Sequence, residues 1–304
     1  MIHETLTQSI VLTKRDLYYR DPALFENQET VDRYVDSIAR TFGVTRSLLN
    51  ISATAKGLVV GAFTLQRGDG TSIEGCSSRS GILITALAPE DTIEMSMVRW
   101  ILVVEKDATF RALVESPFWA EISQEGMLIS AKGYPDILTR QFLHLASTPS
   151  PTRPNPPPVY GLFDYDPDGL AILNTYKYSS ANLQHESAVN GAATGQLIAL
   201  ECSSMRWLGV RSSALQPAIT GDQHGLLPLT PRDRRKATLM LNREPFCQGG
   251  SEPEWRRELQ KMLMLNIKAE IQILEEREGG LSEWLMEQEL GDLGFESLFE
   301  DEVT

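Results

Sequence analysis

Cysteine and histidine are scarce in this chain of 304 residues. Cys76, Cys202 and Cys247 are too few and too scattered for a disulfide framework or a zinc site. The histidines, His3, His144, His185 and His224, show no pairing at metal-ligand spacing, and read as core or surface residues. No apolar run approaches the ~20 residues that span a bilayer. The first residues carry no basic-then-apolar signal pattern, so the chain is expected to be intracellular with no membrane partner. Basic residues are in the minority too, 28 against 41 acidic, for a net charge of −13. Taken whole, that balance argues against nucleic acid. Its distribution changes the reading. Glu275 to Thr304 hold eleven acidic residues and one basic residue, Arg277, which leaves 30 acidic and 27 basic over residues 1–274, a body at −3.

What is present describes a globular protein, 42% hydrophobic and 23% charged, with length enough for two domains. Val31, Tyr34, Val35, Ile38, Ala39 and Phe42 share one face of a helix expected over Glu29–Phe42, and Gly43 follows where a helix stops. Val44–Asn50 reads as a short second helix. Gly57–Phe63, the glycine-rich Gln66-Arg67-Gly68-Asp69-Gly70 and Thr71-Ser72-Ile73 read as a strand, a turn and a return strand. Two helices and a hairpin are the order of a winged helix. That order predicts a winged-helix domain over residues 1–90.

From Met97 short apolar runs alternate with helical stretches. Strands are expected at Arg99–Val104, Gly126–Ser130 and Pro158–Phe163, with helices at Ala108–Val114, Asp136–Ala146 and Gly169–Tyr176. This repeat implies a mixed α/β fold with a parallel sheet flanked by helices, over residues 97–278. Ser147–Pro158, with six prolines, is expected to be a surface loop. Ile219–Pro231 reads as loop, Arg232–Leu241 as helix, and Glu254–Leu274 as one long amphipathic helix. Residues 279–304 alternate acids with aromatics and are expected to form a disordered or partner-binding acidic tail.

In parallel sheets of this kind chemistry sits at the carboxyl ends of strands. The first strand ends in Glu105-Lys106-Asp107 and the third in Asp164-Tyr165-Asp166-Pro167. Two aspartates two apart on extended backbone point the same way. With Glu105 they make an oxygen-ligand set suited to magnesium, which keeps its waters and accepts phosphate oxygens. Two plainer readings stand beside this one. Asp166 can serve only as an N-cap before Pro167, and Glu105-Lys106-Asp107 can be a solvated loop.

A Glu after one strand and Asp-x-Asp after a later one resembles a Toprim domain. Val103-Val104-Glu105-Lys106-Asp107-Ala108-Thr109-Phe110, Lys132-Gly133-Tyr134-Pro135-Asp136, Asp164-Tyr165-Asp166-Pro167-Asp168-Gly169 and Tyr176-Lys177-Tyr178 all look like the A subunit of topoisomerase VI. They look still more like its eukaryotic relative, the meiotic transesterase that makes DNA double-strand breaks. Lys14-Arg15-Asp16-Leu17-Tyr18-Tyr19-Arg20-Asp21 resembles that family's tyrosine motif. Arg206-Trp207-Leu208-Gly209, Leu227-Pro228-Leu229-Thr230 and Lys268-Ala269-Glu270-Ile271 resemble its later blocks.

The resemblance implies Tyr19 as a nucleophile that forms a 5′-phosphotyrosine link, with Mg2+ held by Glu105, Asp164 and Asp166. Arg15, one helical turn before Tyr19, can reach the same phosphate. It also implies a homodimer in which the tyrosine of one protomer works with the metal site of the other, acting on double-stranded DNA in the nucleus of meiotic cells. The implied partners are other meiotic break-forming proteins and a topoisomerase VI B-like subunit. Lys56 and Tyr134 match DNA-contacting positions, and Lys132 and Arg232, with Arg234, Arg235 and Lys236, add candidate phosphate contacts. The chain departs from the pattern in its short leading segment, expected to be a truncation, and in Ala131, where glycine is usual. The weighed alternatives are a non-catalytic DNA-binding paralogue, a Toprim nuclease or primase, and a topoisomerase VI A subunit.

Overall fold

The computed structural model describes residues 1–8, 10–44, 46–52, 55–151, 153–178, 200–215, 225–277 and 279–288. The chain opens with α1 (Ile2–Gln8), β1 (Leu12–Thr13), α2 (Lys14–Arg20), α3 (Pro22–Phe25) and α4 (Gln28–Phe42), and then a single 3-10 turn, Ser47–Leu49, where a second helix is expected. β2 (Ile51–Ser52) runs parallel to β1, with Leu12 opposite Ile51. Leu17, Val31, Val35, Ala39, Leu49 and Ile51 are buried together as a small core of their own. Local chemistry fixes the helix ends. Thr13 and Asp16 form a reciprocal capping box at the start of α2. The Asn27 side chain accepts from the Thr30 amide at 2.9 Å to start α4, and Gly43, at φ 62°, ends it in the left-handed conformation that glycine adopts without strain.

The main core is built on a second unit. β3 (Leu58–Gly61), β4 (Thr64–Gln66), β5 (Ser72–Glu74), β6 (Ile82–Leu83) and β7 (Thr92–Glu94) lead into β8 (Trp100–Val104). Next come α5 (Asp107–Glu115), α6 (Pro117–Ile122), β9 (Gly126–Ser130), α7 (Ile137–Ser147), β10 (Val159–Leu162), α8 (Pro167–Tyr178) and β11 (Arg206–Gly209). A six-stranded sheet has the order β11-β10-β8-β9-β3-β6. Its first four strands are parallel and joined by helical crossovers, while β3 pairs antiparallel with both of its neighbours, β9 and β6. Every residue of β8, β9 and β10 is buried, which is why these strands read as unbroken apolar runs.

The hairpin differs from its sequence reading. Leu58–Gly61 is wholly buried and pairs with β9 and β6 inside the large sheet. The hairpin is instead β4 with β5, in a three-stranded sheet completed by β7. A run apolar at every position, Leu58-Val59-Val60, suits a strand covered on both faces rather than a half-solvated wing.

After β11 come β12 (Leu226–Pro228), α9 (Pro231–Met240), α10 (Pro253–Leu265), β13 (Ile267–Ala269) and α11 (Gly280–Glu287). The loop expected over Ile219–Pro231 lies partly outside the described residues, and its later part is β12, antiparallel to β13. The long helix expected to reach Leu274 stops at Asn266, which is left-handed at φ 56°, and the chain turns back as β13. Apolar spacing carries on through Ile267, Ile271 and Leu274, so the sequence hides the break. The segment expected to be a tail begins as α11, whose Leu281, Trp284 and Leu285 are buried in the main core. Residues 289–304 of that segment lie outside the described residues. Among the described residues no helix is long and apolar enough to cross a membrane.

Candidate functional site

The chain runs from β8 to β9 on one side of β8, then returns to lay β10 on its other side. The carboxyl ends of β8 and β10 therefore flank the point where the strand order reverses, the place where open α/β sheets form their binding crevice. Glu105 leaves the end of β8 and Asp164 the end of β10. The Glu105 amide donates to the Leu162 carbonyl at 3.1 Å, which continues the ladder. The Asp164 amide in turn donates to Glu105 Oε2 at 2.9 Å.

Asp164 is buried. Its Oδ1 accepts the Ile271 amide at 2.9 Å, and its Oδ2 faces Lys106 Nζ, also at 2.9 Å. Extended backbone then turns Tyr165 the other way, into the core, where Oη donates to the Glu258 carbonyl at 3.4 Å. Tyr165 is held there by paired backbone bonds to Ala269 of β13. Asp166 returns to the side of Asp164 and its Oδ1 accepts the Gly169 amide at 2.6 Å, so it does cap α8. Its second oxygen has no hydrogen-bond partner among the described residues. A Cβ on Gly169 would lie 2.3 Å from the Asp164 carbonyl oxygen, so only glycine lets the first turn of α8 pass this close beneath the two aspartates.

The electrostatics show negative charge in excess. Burial, and then the neighbouring Asp164 carboxylate, push Glu105 up to about 8. Burial likewise raises Asp164, against the pull of Lys106 and the Ile271 amide, and raises Asp166. Among the described residues no three His, Cys, Asp or Glu side chains are closed around a common point as a finished metal site. The donor set still fits a hard divalent cation. All donors are oxygens, two come from one strand end and one from its neighbour, and a cation would relieve the burial cost that now falls on the charged forms. Glu105, Asp164 and Asp166 are the residues that could hold it.

Tyr19 projects from α2 with 70% of its surface exposed, its ring 5.4 Å from that of Tyr18, while Leu17 anchors the helix in the small core. Arg15 is exposed one turn earlier. Among the described residues neither Arg15 nor Tyr19 makes a hydrogen bond or ion pair to the three carboxylates, so a single chain does not join the two halves through such contacts.

Three of the candidate DNA contacts, Lys56, Lys132 and Tyr134, lie at or beside the 132–134 turn. Lys132 (φ 56°) and Gly133 (φ 92°) are left-handed, and the Gly133 amide donates to the Glu105 carbonyl at 2.8 Å, which ties this turn to the end of β8. Lys132 Nζ is 3.6 Å from Asp107. Burial lowers the half-buried Lys56; Asp136 opposes that shift and the charge of Lys132 adds to it. Arg232 is exposed on α9. Tyr134, also exposed, accepts from Lys236 Nζ at 2.9 Å, and Lys236 is ion-paired to Asp168. Two positions escaped the sequence reading. Lys106 appeared only as a neighbour of Glu105, and Glu270 only as part of a motif, yet Lys106 Nζ is 3.0 Å from Glu270 Oε2. Nothing local to residue 106 signals a partner so distant in the chain.

Residues 100–287 match the family model for the Toprim domain of Spo11 and the topoisomerase 6 A subunit, and residues 1–51 match that of type IIB DNA topoisomerase. The chain belongs to the family of Spo11 and the topoisomerase 6 A subunit. It is similar to meiotic recombination protein rec12 of Schizosaccharomyces pombe, at 34% identity over 90% of this chain and 70% of that protein. Human meiotic recombination protein SPO11 is 32% identical over 90% of this chain and 64% of its own length. The A subunit of DNA topoisomerase 6 from Arabidopsis thaliana is 34% identical over 90% of this chain and 59% of its own length. The chain thus spans about six- to seven-tenths of the length of these relatives. Within the family the parallel-rich sheet bearing Glu105 and Asp164 is its Toprim domain.

Proposed function

We propose that the chain is the cutting subunit of a Mg2+-dependent DNA transesterase that makes double-strand breaks to initiate meiotic recombination. The observation that carries this reading is the group of carboxylates, Asp164 buried and Glu105 and Asp166 half-buried, at the switch point of a Toprim sheet in a chain that also presents Tyr19 and Arg15 on an exposed helix face. In this reading a winged-helix unit within residues 1–90 carries Tyr19, its Leu58–Gly61 and Ile82–Leu83 strands being built into the sheet of the Toprim unit of residues 97–278.

The chemistry follows from the groups present. Tyr19 Oη bonds to phosphorus, the P–O3′ bond breaks, the phenol proton leaves to solvent or a base, and O3′ takes up a proton. One phosphodiester replaces another of similar energy, so the cut needs no nucleotide hydrolysis. A phenol suits this role because its pKa of ~10 is far below that of an aliphatic hydroxyl. Arg15 supplies a guanidinium one turn away for the charge developing on the phosphate. A magnesium ion held by Glu105, Asp164 and Asp166 supplies Lewis-acid stabilisation of the phosphate and leaving oxygen when bound. Because Tyr19 contacts none of those carboxylates within one chain, a homodimer with sites completed in trans supplies the missing half, and its two-fold axis sets the offset of the two cuts. Lys56, Lys132, Tyr134 and Arg232 line the path of double-stranded DNA. The similarity to meiotic recombination proteins supports action in the nucleus of meiotic cells. The partners in this reading are other break-forming proteins and a topoisomerase 6 B-like subunit.

A second reading, the A subunit of a topoisomerase that cuts and reseals with an ATPase partner, is favoured by the 34% identity to the Arabidopsis topoisomerase 6 protein. Recovery of protein-linked DNA 5′ ends from meiotic cells tests the first reading. The native chain is expected to yield them and Tyr19→Phe to yield none; equal yield from both would reject Tyr19 as nucleophile. Linked ends confined to non-meiotic cells would favour the second reading.

A further inference from the structure

Lys106 sits in a cage of oxygens beside the carboxylates. Its Nζ lies 2.9 Å from Asp164 Oδ2, 3.0 Å from Glu270 Oε2 and 3.2 Å from Gln272 Oε1. An ammonium has three N–H donors and no acceptor, so three such oxygens account for its whole hydrogen-bonding capacity. The cage is lopsided. The Asp164 side chain is 9% exposed and that of Glu270 58% exposed. Asp164 is therefore the partner whose charge is costly to leave uncompensated, while Glu270 is largely stabilised by water. The same 270–272 turn that supplies Glu270 and Gln272 also donates the Ile271 amide to the other oxygen of Asp164. Lys106 thus covers the one Asp164 oxygen that is not already committed to backbone.

We propose that Lys106 is the resident cation of this site. In the metal-free chain its ammonium neutralises Asp164. A divalent cation has to displace it from Oδ2, and Glu270 with Gln272 form the berth that keeps it when it leaves. The inference rests on the reading of Asp164 as a metal ligand. It makes Glu270 and Gln272 anchors for Lys106 rather than ligands, and it makes cation affinity a competition between the ion and a built-in ammonium.

Calorimetric titration with Mn2+ and Mg2+, with thermal melts of the same full chain in chelator and in the ion, tests both levels separately. Asp164→Asn is expected to abolish the metal heat; binding that survives it would overturn the underlying site, whatever Lys106 does. With the site established, Lys106→Met is expected to melt lower in chelator and to bind Mn2+ about tenfold or more tightly, because a charge-assisted hydrogen bond no longer has to be broken. Glu270→Gln is expected to weaken binding in the native background and to change nothing in the Lys106→Met background. Unchanged or weaker Mn2+ binding by a folded Lys106→Met chain would overturn the proposal. So would a loss from Glu270→Gln that persists without Lys106, which would make Glu270 itself a ligand. If Lys106→Met does not fold, Lys106→Gln, which keeps a polar group in the cage without its charge, carries the same comparison.

Discussion

The Asp164 backbone amide donates to the Glu105 carboxylate at 2.9 Å, so the ends of two neighbouring parallel strands are locked together by the side chain of one and the main chain of the other. This bond turns the Glu105 carboxylate toward the end of β10 and sets two acidic groups side by side, Asp164 buried and Glu105 half-buried. Glu105→Gln keeps an oxygen to accept that bond and removes a charge that burial penalises. The expected outcome is a chain that melts at or above the native temperature in chelator and gains no stability from Mg2+. Melting curves with and without the ion check it.

Tyr19 is exposed, and its ring meets that of Tyr18 edge-on. Tyr19→Phe is therefore expected to leave the melting temperature unchanged, since surface substitutions away from special features shift stability by about 0.5 kcal/mol or less. Arg15→Ala, equally silent in the melt, is expected to slow covalent-complex formation roughly a hundredfold, the usual cost of removing a group that stabilises developing charge. A slowed melt-neutral Arg15→Ala separates phosphate stabilisation from folding.

Asp91 offers a prediction for stability that does not involve the three carboxylates. Its buried carboxylate accepts the Ala88 amide at 2.8 Å, the Gly68 amide at 3.0 Å and Arg67 Nη1 at 2.6 Å, tying the hairpin turn to the loop before β7. The Ala88 amide foremost, against the opposing effect of burial, and then Gly68 and Arg67 hold its pKa below the usual carboxylate range. A depressed folded pKa gives stability that is present above the ordinary value near ~4 and is lost as pH falls through the folded one. Asp91→Asn is expected to cost about 1–3 kcal/mol at neutral pH, the worth of leaving such groups unsatisfied. It should also flatten the acid limb of the stability curve, read by urea titration at pH 7 and below pH ~4.

Arg232 tests the DNA surface. As an exposed cation on α9 it is expected to contribute one phosphate contact. Arg232→Ala should weaken binding to all duplexes alike and reduce the slope of log K against log salt by about 0.9. Fluorescence anisotropy over a salt series reads this directly.

Much of the site was legible because it depends on local signals. Buried strands announce themselves as apolar runs, and the residues just past them, Glu105, Asp164 and Asp166, follow from knowing which end of such a sheet does chemistry. Where the sequence misled, a local pattern had a second cause. Leu58–Gly61 looked like one arm of a hairpin, yet its unbroken burial belongs to the central sheet. Ile267, Ile271 and Leu274 kept helical spacing across a strand and a turn. Trp284 and Leu285 sat in an acidic context that suggested solvent, although each is buried in the main core. Trp284→Ala is accordingly expected to cost about 3–5 kcal/mol, as for other buried aromatics, where a solvated tail residue would cost nothing. The cage around Lys106 had no local signal at all, since Lys106, Asp164 and the 270–272 turn come from the start, the middle and the end of the Toprim region.

The most direct test of the account mixes two dead variants. Tyr19→Phe keeps its carboxylates and Asp164→Asn keeps its tyrosine, so a dimer of one with the other has one intact trans site. Each variant alone is expected to form no covalent complex on a duplex, while the mixture nicks one strand and leaves a 5′ tyrosyl link on the Asp164→Asn chain. A mixture as inert as its components, beside an active native chain under the same conditions, would contradict the pairing of Tyr19 with Glu105, Asp164 and Asp166 across a dimer.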